Sequence, residues 1–158
     1  MRIVVLSDSH RKVSKLFDAV ERHLDNADLF IFLGDGEDDF DMVLNAYPHI
    51  KYERVCGNCD WGSNYPDKME IEFAGKKIFF SHGHPYNVKF GYENIIAEAK
   101  KRGADIVLFG HTHNQYTEYQ ESLCIMNPGS VANGDYGVID ITPKGDILPE
   151  SPVRTQPV

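Results

Sequence analysis

Cysteine is scarce in this chain of 158 residues: there are three, an odd number that does not pair off into a disulfide framework. Long apolar runs are missing as well. The longest, Leu29 to Leu33, is strand-sized and far short of the roughly 18–20 residues of a membrane span. The opening segment, MRIVVLSDSH, carries one Arg and a four-residue apolar run, too little for the apolar region of a secretory signal. A cytoplasmic location is therefore expected. Basic residues are in deficit, 16 Lys and Arg against 24 Asp and Glu, for a formal net charge of −8. Binders of duplex nucleic acid need a basic face, as does electrostatic docking on an anionic membrane, so neither is an expected partner. Internal repeats, linkers and low-complexity tracts are also lacking.

What remains is material for one compact domain over residues 1–158. Hydrophobic residues make up 42% and aromatic residues 11%, enough for a core in a chain of single-domain length. Ile3 to Leu6, Leu29 to Leu33 and Tyr52 to Cys56 are short apolar segments that predict buried strands. Between them, Val13, Leu16, Phe17, Val20 and Leu24 recur at helical spacing, as do Phe40, Val43, Leu44 and Tyr47 before Pro48. Strand, helix, strand, helix, strand means parallel pairing with crossover helices. Two hairpins follow, Met69 to Phe73 with Lys76 to Phe80, and Gln115 to Gln120 with Leu123 to Met126. A helix over Phe90 to Arg102, capped by Gly103, and strands at Asp105 to Phe109 and Tyr136 to Ile141 complete the pattern. The order suggests two packed sheets flanked by helices. Three prolines after Pro143 predict a weakly ordered tail from about residue 143.

The chemical signal is positional. Asp8 and His10, Asp35, Asn58, His82 and His84, and His111 and His113 all fall just past the ends of apolar strands, and five of the seven histidines are in this set. Open α/β sheets bind ligands outside the carboxyl ends of their strands. Asp8/His10, His82/His84 and His111/His113 are each spaced i, i+2, which in extended backbone aims both side chains to one side. A single histidine after a strand is ordinarily a solvated loop residue; five such clusters together predict a metal site. Imidazole, carboxylate and amide ligands suit Mn, Fe, Zn, Co or Ni better than Ca. Seven or so ligands are too many for one tetrahedral ion, and two ions sharing a carboxylate fit better. Two divalent ions less two carboxylates and a hydroxide leave about +1, a centre that attracts a phosphoryl group.

The motifs D-S-H (8–10), G-D (34–35), G-N-C-D (57–60), H-G-H (82–84) and G-H-T-H (110–113) resemble those of the calcineurin-like metallophosphoesterases, in the family's order. N-P-G-S (127–130) resembles their small bacterial and archaeal phosphodiesterase branch. The resemblance implies a four-layer αββα sandwich of two mixed β-sheets flanked by helices. It also implies a phosphodiesterase with two divalent ions, manganese foremost, with nickel, zinc, iron or cobalt as alternatives. Asp8, His10, Asp35 and His113 would hold one ion; Asp35, Asn58, His82 and His111 would hold the other. A hydroxide between the ions would attack phosphorus, making Asp35, Asn58, His82 and His111 the catalytic set. Asn58, Cys59, His84 and Arg11 are the expected contacts to a small phosphodiester. Many family members have histidine where Cys59 stands, so the general acid is open. The family also includes a retromer sorting subunit that works as a scaffold, and monoesterase or nucleotidase activity is a further alternative.

Other signals are weaker. Cys56-Gly57-Asn58-Cys59 has redox spacing but no second pair, and Gly34-Asp35-Gly36 lacks the third glycine of a dinucleotide fingerprint. Phe40 stands where an EF-hand needs its sharp-turn glycine. Asp38 and Asp60 are candidates to hydrogen-bond ligand histidines. Asn127 and Ser130 are expected in the pocket wall, and Trp61, Tyr86 and Asn87 along the cleft. His23 and His49 are expected to be structural. The hydrophobic hairpin segment Lys76 to Phe80 is expected to be exposed, which leaves room for a homodimer.

Overall fold

The computed structural model of the chain describes residues 1–154, with side chains through residue 150. Its first half runs β1 (Arg2–Leu6), α1 (Val13–Glu21), β2 (Leu29–Phe32), α2 (Glu37–Ala46) and β3 (Tyr52–Arg54). Then come β4 (Lys68–Phe73), β5 (Lys76–Ser81), α3 (Glu93–Lys101), β6 (Ile106–Leu108), β7 (Tyr116–Gln120), β8 (Leu123–Asn127), β9 (Asp135–Ile141) and β10 (Ile147–Arg154). The strands form two five-stranded sheets, ordered β10-β9-β1-β2-β3 and β4-β5-β6-β8-β7. In the first, β1, β2 and β3 are parallel, as the crossover pattern predicts, while β9 runs antiparallel to both of its neighbours, β1 and β10. In the second, β5, β6 and β8 are parallel, and β4 and β7 are antiparallel edges. Both sheets are mixed.

Side-chain alternation assembles the layers. Ile3 and Val5 point from β1 into a core shared with Ile78, Phe80, Ile106 and Leu108 of the other sheet. Val4 and Leu6 point the opposite way, onto Leu16 and Val20 of α1 and Phe40 and Val43 of α2. On the far side, Phe79 and Val107 pack under Ile95 and Ala99 of α3. The layers are therefore helices, sheet, sheet, helix. The apolar periodicity of α1 and α2 fixes these faces, and Phe40 lies flat on Phe32 with ring centroids 4.8 Å apart.

The predicted tail is corrected. Ile147–Arg154 is an edge strand paired with β9, and its register shifts between Glu150 and Val153. Prolines are tolerated there because an edge strand leaves alternate N–H positions unpaired and a bulge absorbs the rest. Residues 155–158 lie outside the described residues. The helix expected from Phe90 starts at Glu93, because Gly91 at φ +141° interrupts it. The hairpin surface suggested for dimerisation is also corrected. β5 is an interior strand, and Ile78, Phe79 and Phe80 are fully buried within one chain. Among the described residues, no helix is long and apolar enough to cross a membrane.

Candidate metal centre

The strand ends carry the predicted residues to one edge, where they form two facing clusters. Asp8, His10 and His113 each offer a donor atom, and these atoms lie within 4.8 Å of one another; so do those of Asp35, His82 and His111. In the first cluster, His113 Nε2 is 3.1 Å and His10 Nε2 3.3 Å from Asp8 Oδ1, and the two Nε2 atoms are 3.0 Å apart. In the second, His82 Nε2 is 3.3 Å from Asp35 Oδ2 and 3.1 Å from His111 Nδ1. Asp35 Oδ2 is also 3.7 Å from His10 Nε2, so one oxygen faces imidazoles of both clusters.

The i, i+2 logic needs correction. The backbone here is not extended: Asp8, His10, Asp35, His111 and His113 all have φ between +42° and +70°. Such left-handed residues are uncommon outside glycine and concentrate at functional sites, where surrounding structure must hold them. The turns also divide the last pair. His111 joins Asp35 and His82, whereas His113 joins Asp8 and His10. Close backbone approach makes this compact. A Cβ on Gly57 would sit 2.1 Å from Asp35 Oδ1, and one on Gly34 would sit 2.3 Å from the Gly57 nitrogen.

Hydrogen bonding fixes which lone pairs face inward. The Nδ1–H of His82 donates to the carbonyl of Leu33 at 2.8 Å, so in the neutral ring Nε2 is the bare acceptor. That acceptor faces a carboxylate oxygen and another ring nitrogen, a convergence that asks for a cation. Protons supply part of it in the metal-free chain. The hydrogen bond that His10 donates to Asp8 raises the His10 pKa, and burial lowers that of His82 but is outweighed by Asp35 and Asp8. Burial opposes ionisation of Asp8, but hydrogen bonds from His10 and His113 hold its carboxyl well below the usual range. Asp35 is lowered in the same way, its burial outweighed by His82. Burial, with His82 and Lys89 nearby, pushes His111 down to about 4. Imidazole and carboxylate donors in this arrangement fit first-row divalent ions.

The remaining predicted residues fall around this centre. Asn58 is exposed, with its Nδ2 3.5 Å from the Cys59 sulfur. Cys59 donates its backbone N–H to Asp35 Oδ1 at 2.8 Å. His84 lies outside both clusters, its ring 5.5 Å from that of His82 and 6.2 Å from that of His111. A cavity of about 450 Å³ opens beside His10 and Asp35, and Arg11, Glu37, Cys59 and Trp61 help line it. Asn127 and Ser130 brace the ligand loops. Asn127 Nδ2 donates to the Gly110 carbonyl and Thr112 Oγ1, and Ser130 Oγ donates to the Asp8 carbonyl. Tyr86 instead packs edge-on against Phe79 beneath α3. His23 is structural, bonded to Asn26 and Tyr136. Cys56, Cys59 and Cys124 are free thiols.

Two acidic residues behave differently from expectation. Asp60 bonds no ligand histidine and instead accepts backbone N–H groups of Asp35, Gly36, Glu37 and Gly57 at 2.7–3.0 Å. Asp38 is exposed. Its neighbour Asp39 takes a role that the sequence does not announce: Oδ2 accepts Ser9 Oγ at 2.6 Å and the Arg11 N–H at 2.9 Å, pinning both neighbours of His10. A carboxylate that serves backbone amides has no spacing signature, so nothing in the pattern separates it from the acidic residues beside it.

Two His/Asp clusters at the meeting edge of paired sheets are the makings of a metal site, and the matching domain model makes the class the phosphoesterases. The chain belongs to the calcineurin-like phosphoesterase superfamily, whose domain model matches residues 1–141. It is 32% identical over 132 residues to the probable metallophosphoesterase YsnB of Bacillus subtilis, covering 83% of this chain and 75% of that protein. To the phosphodiesterase MJ0936 of Methanocaldococcus jannaschii it is 26% identical over 146 residues, covering 82% and 83%. The crystal structure of zinc-bound Vps29 from Entamoeba histolytica shares the fold, with a TM-score of 0.75 at 19% identity over 95% of this chain and 97% of that one.

Proposed function

We propose that this chain is a phosphodiesterase working with two divalent ions, manganese foremost. The observation that carries the reading is Asp35 Oδ2, which faces His82 Nε2 at 3.3 Å and His10 Nε2 at 3.7 Å. A single carboxylate oxygen between two imidazole clusters suits one ligand shared by two cations. Asp8, His10 and His113 with Asp35 would hold one ion; His82, His111 and Asn58 with Asp35 would hold the other. Asn58 is exposed and its Nδ2 comes no closer than 3.5 Å to the Cys59 sulfur, so its amide would give up little to join. When bound, such a pair supplies Lewis acidity toward a phosphoryl oxygen and lowers the pKa of solvent.

The chain's own side chains then select the substrate. Arg11 at the cavity wall pairs with a non-bridging phosphate oxygen, and His84, beside the His82/His111 cluster, contacts the ester. Cys59 takes the place from which a leaving oxygen would receive its proton. Burial, then Asp35, raises its pKa, so the thiol keeps its proton at neutral pH and is a poor acid. Good leaving groups, such as aryl oxides, need little such help. Aryl diesters are therefore the favoured test substrates, ahead of dialkyl diesters. A screen of aryl diesters, aryl monoesters and dialkyl diesters over a metal series, with metal content measured in the same samples, tests the reading. Diester turnover that requires metal and vanishes in His111→Ala is expected. Wild-type protein that binds metal but turns over nothing contradicts it and favours a binding role; faster monoester turnover favours a phosphatase.

A further inference from the structure

We infer that Asp60 is a positioning residue for the metal centre, holding Asp35 so that only Oδ2 is presented to the imidazoles. The inference rests on the two-ion reading for what Asp35 does, and on geometry for how it is held. Residues 34, 35 and 36 have successive φ values of +101°, +59° and +155°. The N–H groups of residues 35, 36 and 37 converge on one point, as in an anion-binding nest. The start of α2 adds its own unpaired N–H at Glu37. Asp60 fills the nest. Its Oδ2 accepts Asp35 N–H at 2.8 Å and Gly57 N–H at 2.7 Å, and its Oδ1 accepts Gly36 and Glu37 N–H, both at 3.0 Å.

Two consequences follow. First, a carboxylate offers about four lone-pair sites, and here all four are taken by backbone amides. Asp60 therefore does not compete for a cation, although it shares the cavity with His10 and Asp35. It also occupies an anion-binding nest that a substrate phosphate would otherwise enter away from the metals. Second, the clamp welds the loop after β2 to the loop after β3, and that weld brings the Cys59 N–H onto Asp35 Oδ1 at 2.8 Å. With Oδ1 engaged, Oδ2 alone is left toward His82 and His10. The strained φ of Asp35 is thus held from outside by a residue 25 positions away.

Replacing Asp60 by Asn tests this, because the amide keeps one oxygen and turns two N–H donors against backbone N–H groups. Mn2+ binding is measured calorimetrically without substrate, on wild type, D60N and a core control, Val20→Ala, with all three checked by circular dichroism. Loss of a residue that orients ligands costs metal affinity on the order of 10–100-fold. D60N is expected to lose that much, while Val20→Ala, destabilised but remote, binds Mn2+ like wild type. Affinity in D60N within twofold of wild type, or an equal loss in Val20→Ala, overturns the inference. If D60N does not fold, D60E decides instead. Its extra methylene displaces the clamp but keeps the charge, so weakened binding supports the inference and unchanged binding overturns it. Turnover does not enter this test. A wild type that binds two ions without hydrolysing diesters sinks the proposed function and leaves the role of Asp60 to be judged on binding alone.

Discussion

His82 and Leu33 tie the two sheets together at the metal centre: the imidazole follows β5, the carbonyl follows β2, and the Nδ1–H to oxygen distance between them is 2.8 Å, measured from the nitrogen. That bond fixes the ring's orientation and its tautomer, leaving Nε2 free to coordinate.

His82→Ala removes a ligand and this link together. We expect bound metal to fall from about two ions per chain to about one, and diester turnover to drop by on the order of 10²-fold or more. Elemental analysis after reconstitution checks the first figure, and steady-state kinetics the second. Unchanged stoichiometry would remove His82 from the ligand set.

Metal binding should depend on pH with a definite sign. His10 and His82 have raised pKa values, so near pH 6 both carry protons that an incoming cation must displace. His111, pushed down to about 4, contributes no competing proton there. Release of about one to two protons per loaded chain is expected at pH 6, measured by calorimetry in buffers of different ionisation enthalpy.

The same shifts make opposite predictions for the metal-free and loaded chain. A histidine with a raised folded pKa stabilises the metal-free fold fully below its unfolded pKa near 6.5, and that gain is lost as pH rises through the folded value. The increase in melting temperature caused by Mn2+ should therefore grow from pH 5.5 to 8. Scanning fluorimetry with and without Mn2+ reads this directly, and a shrinking difference would contradict it.

Cys59 supports the site through its backbone, whose N–H meets Asp35 Oδ1 at 2.8 Å whatever the side chain. Cys59→Ala should keep metal affinity and change aryl-diester turnover by no more than about threefold. Turnover of dialkyl diesters is expected to be slow in both proteins, because neither has an effective acid for a poor leaving group. Rapid dialkyl hydrolysis that survives the substitution would place the proton donor elsewhere.

Much of this architecture was legible in the residues. Apolar–polar alternation is not needed to find β1 or β2, because their apolar runs are buried on both faces, between helices and a second sheet. The strand-end positions of Asp8, Asp35, His82 and His111 follow from those runs. What stayed hidden depends on backbone shape. The left-handed turns themselves leave no mark in an H-x-H spacing, and the division of His111 and His113 between two clusters is implied by the family resemblance of the motifs alone. Asp60 and Asp39 act on amides, which almost every residue carries. The strand β10 was obscured by Pro149 and Pro152, residues that an edge position tolerates.

The most direct test of the shared-carboxylate centre is anomalous diffraction from crystals of the chain equilibrated with excess Mn2+. Two peaks about 3.5–4 Å apart, with Asp35 touching both, are predicted. One peak, or two that do not share Asp35, would contradict the account.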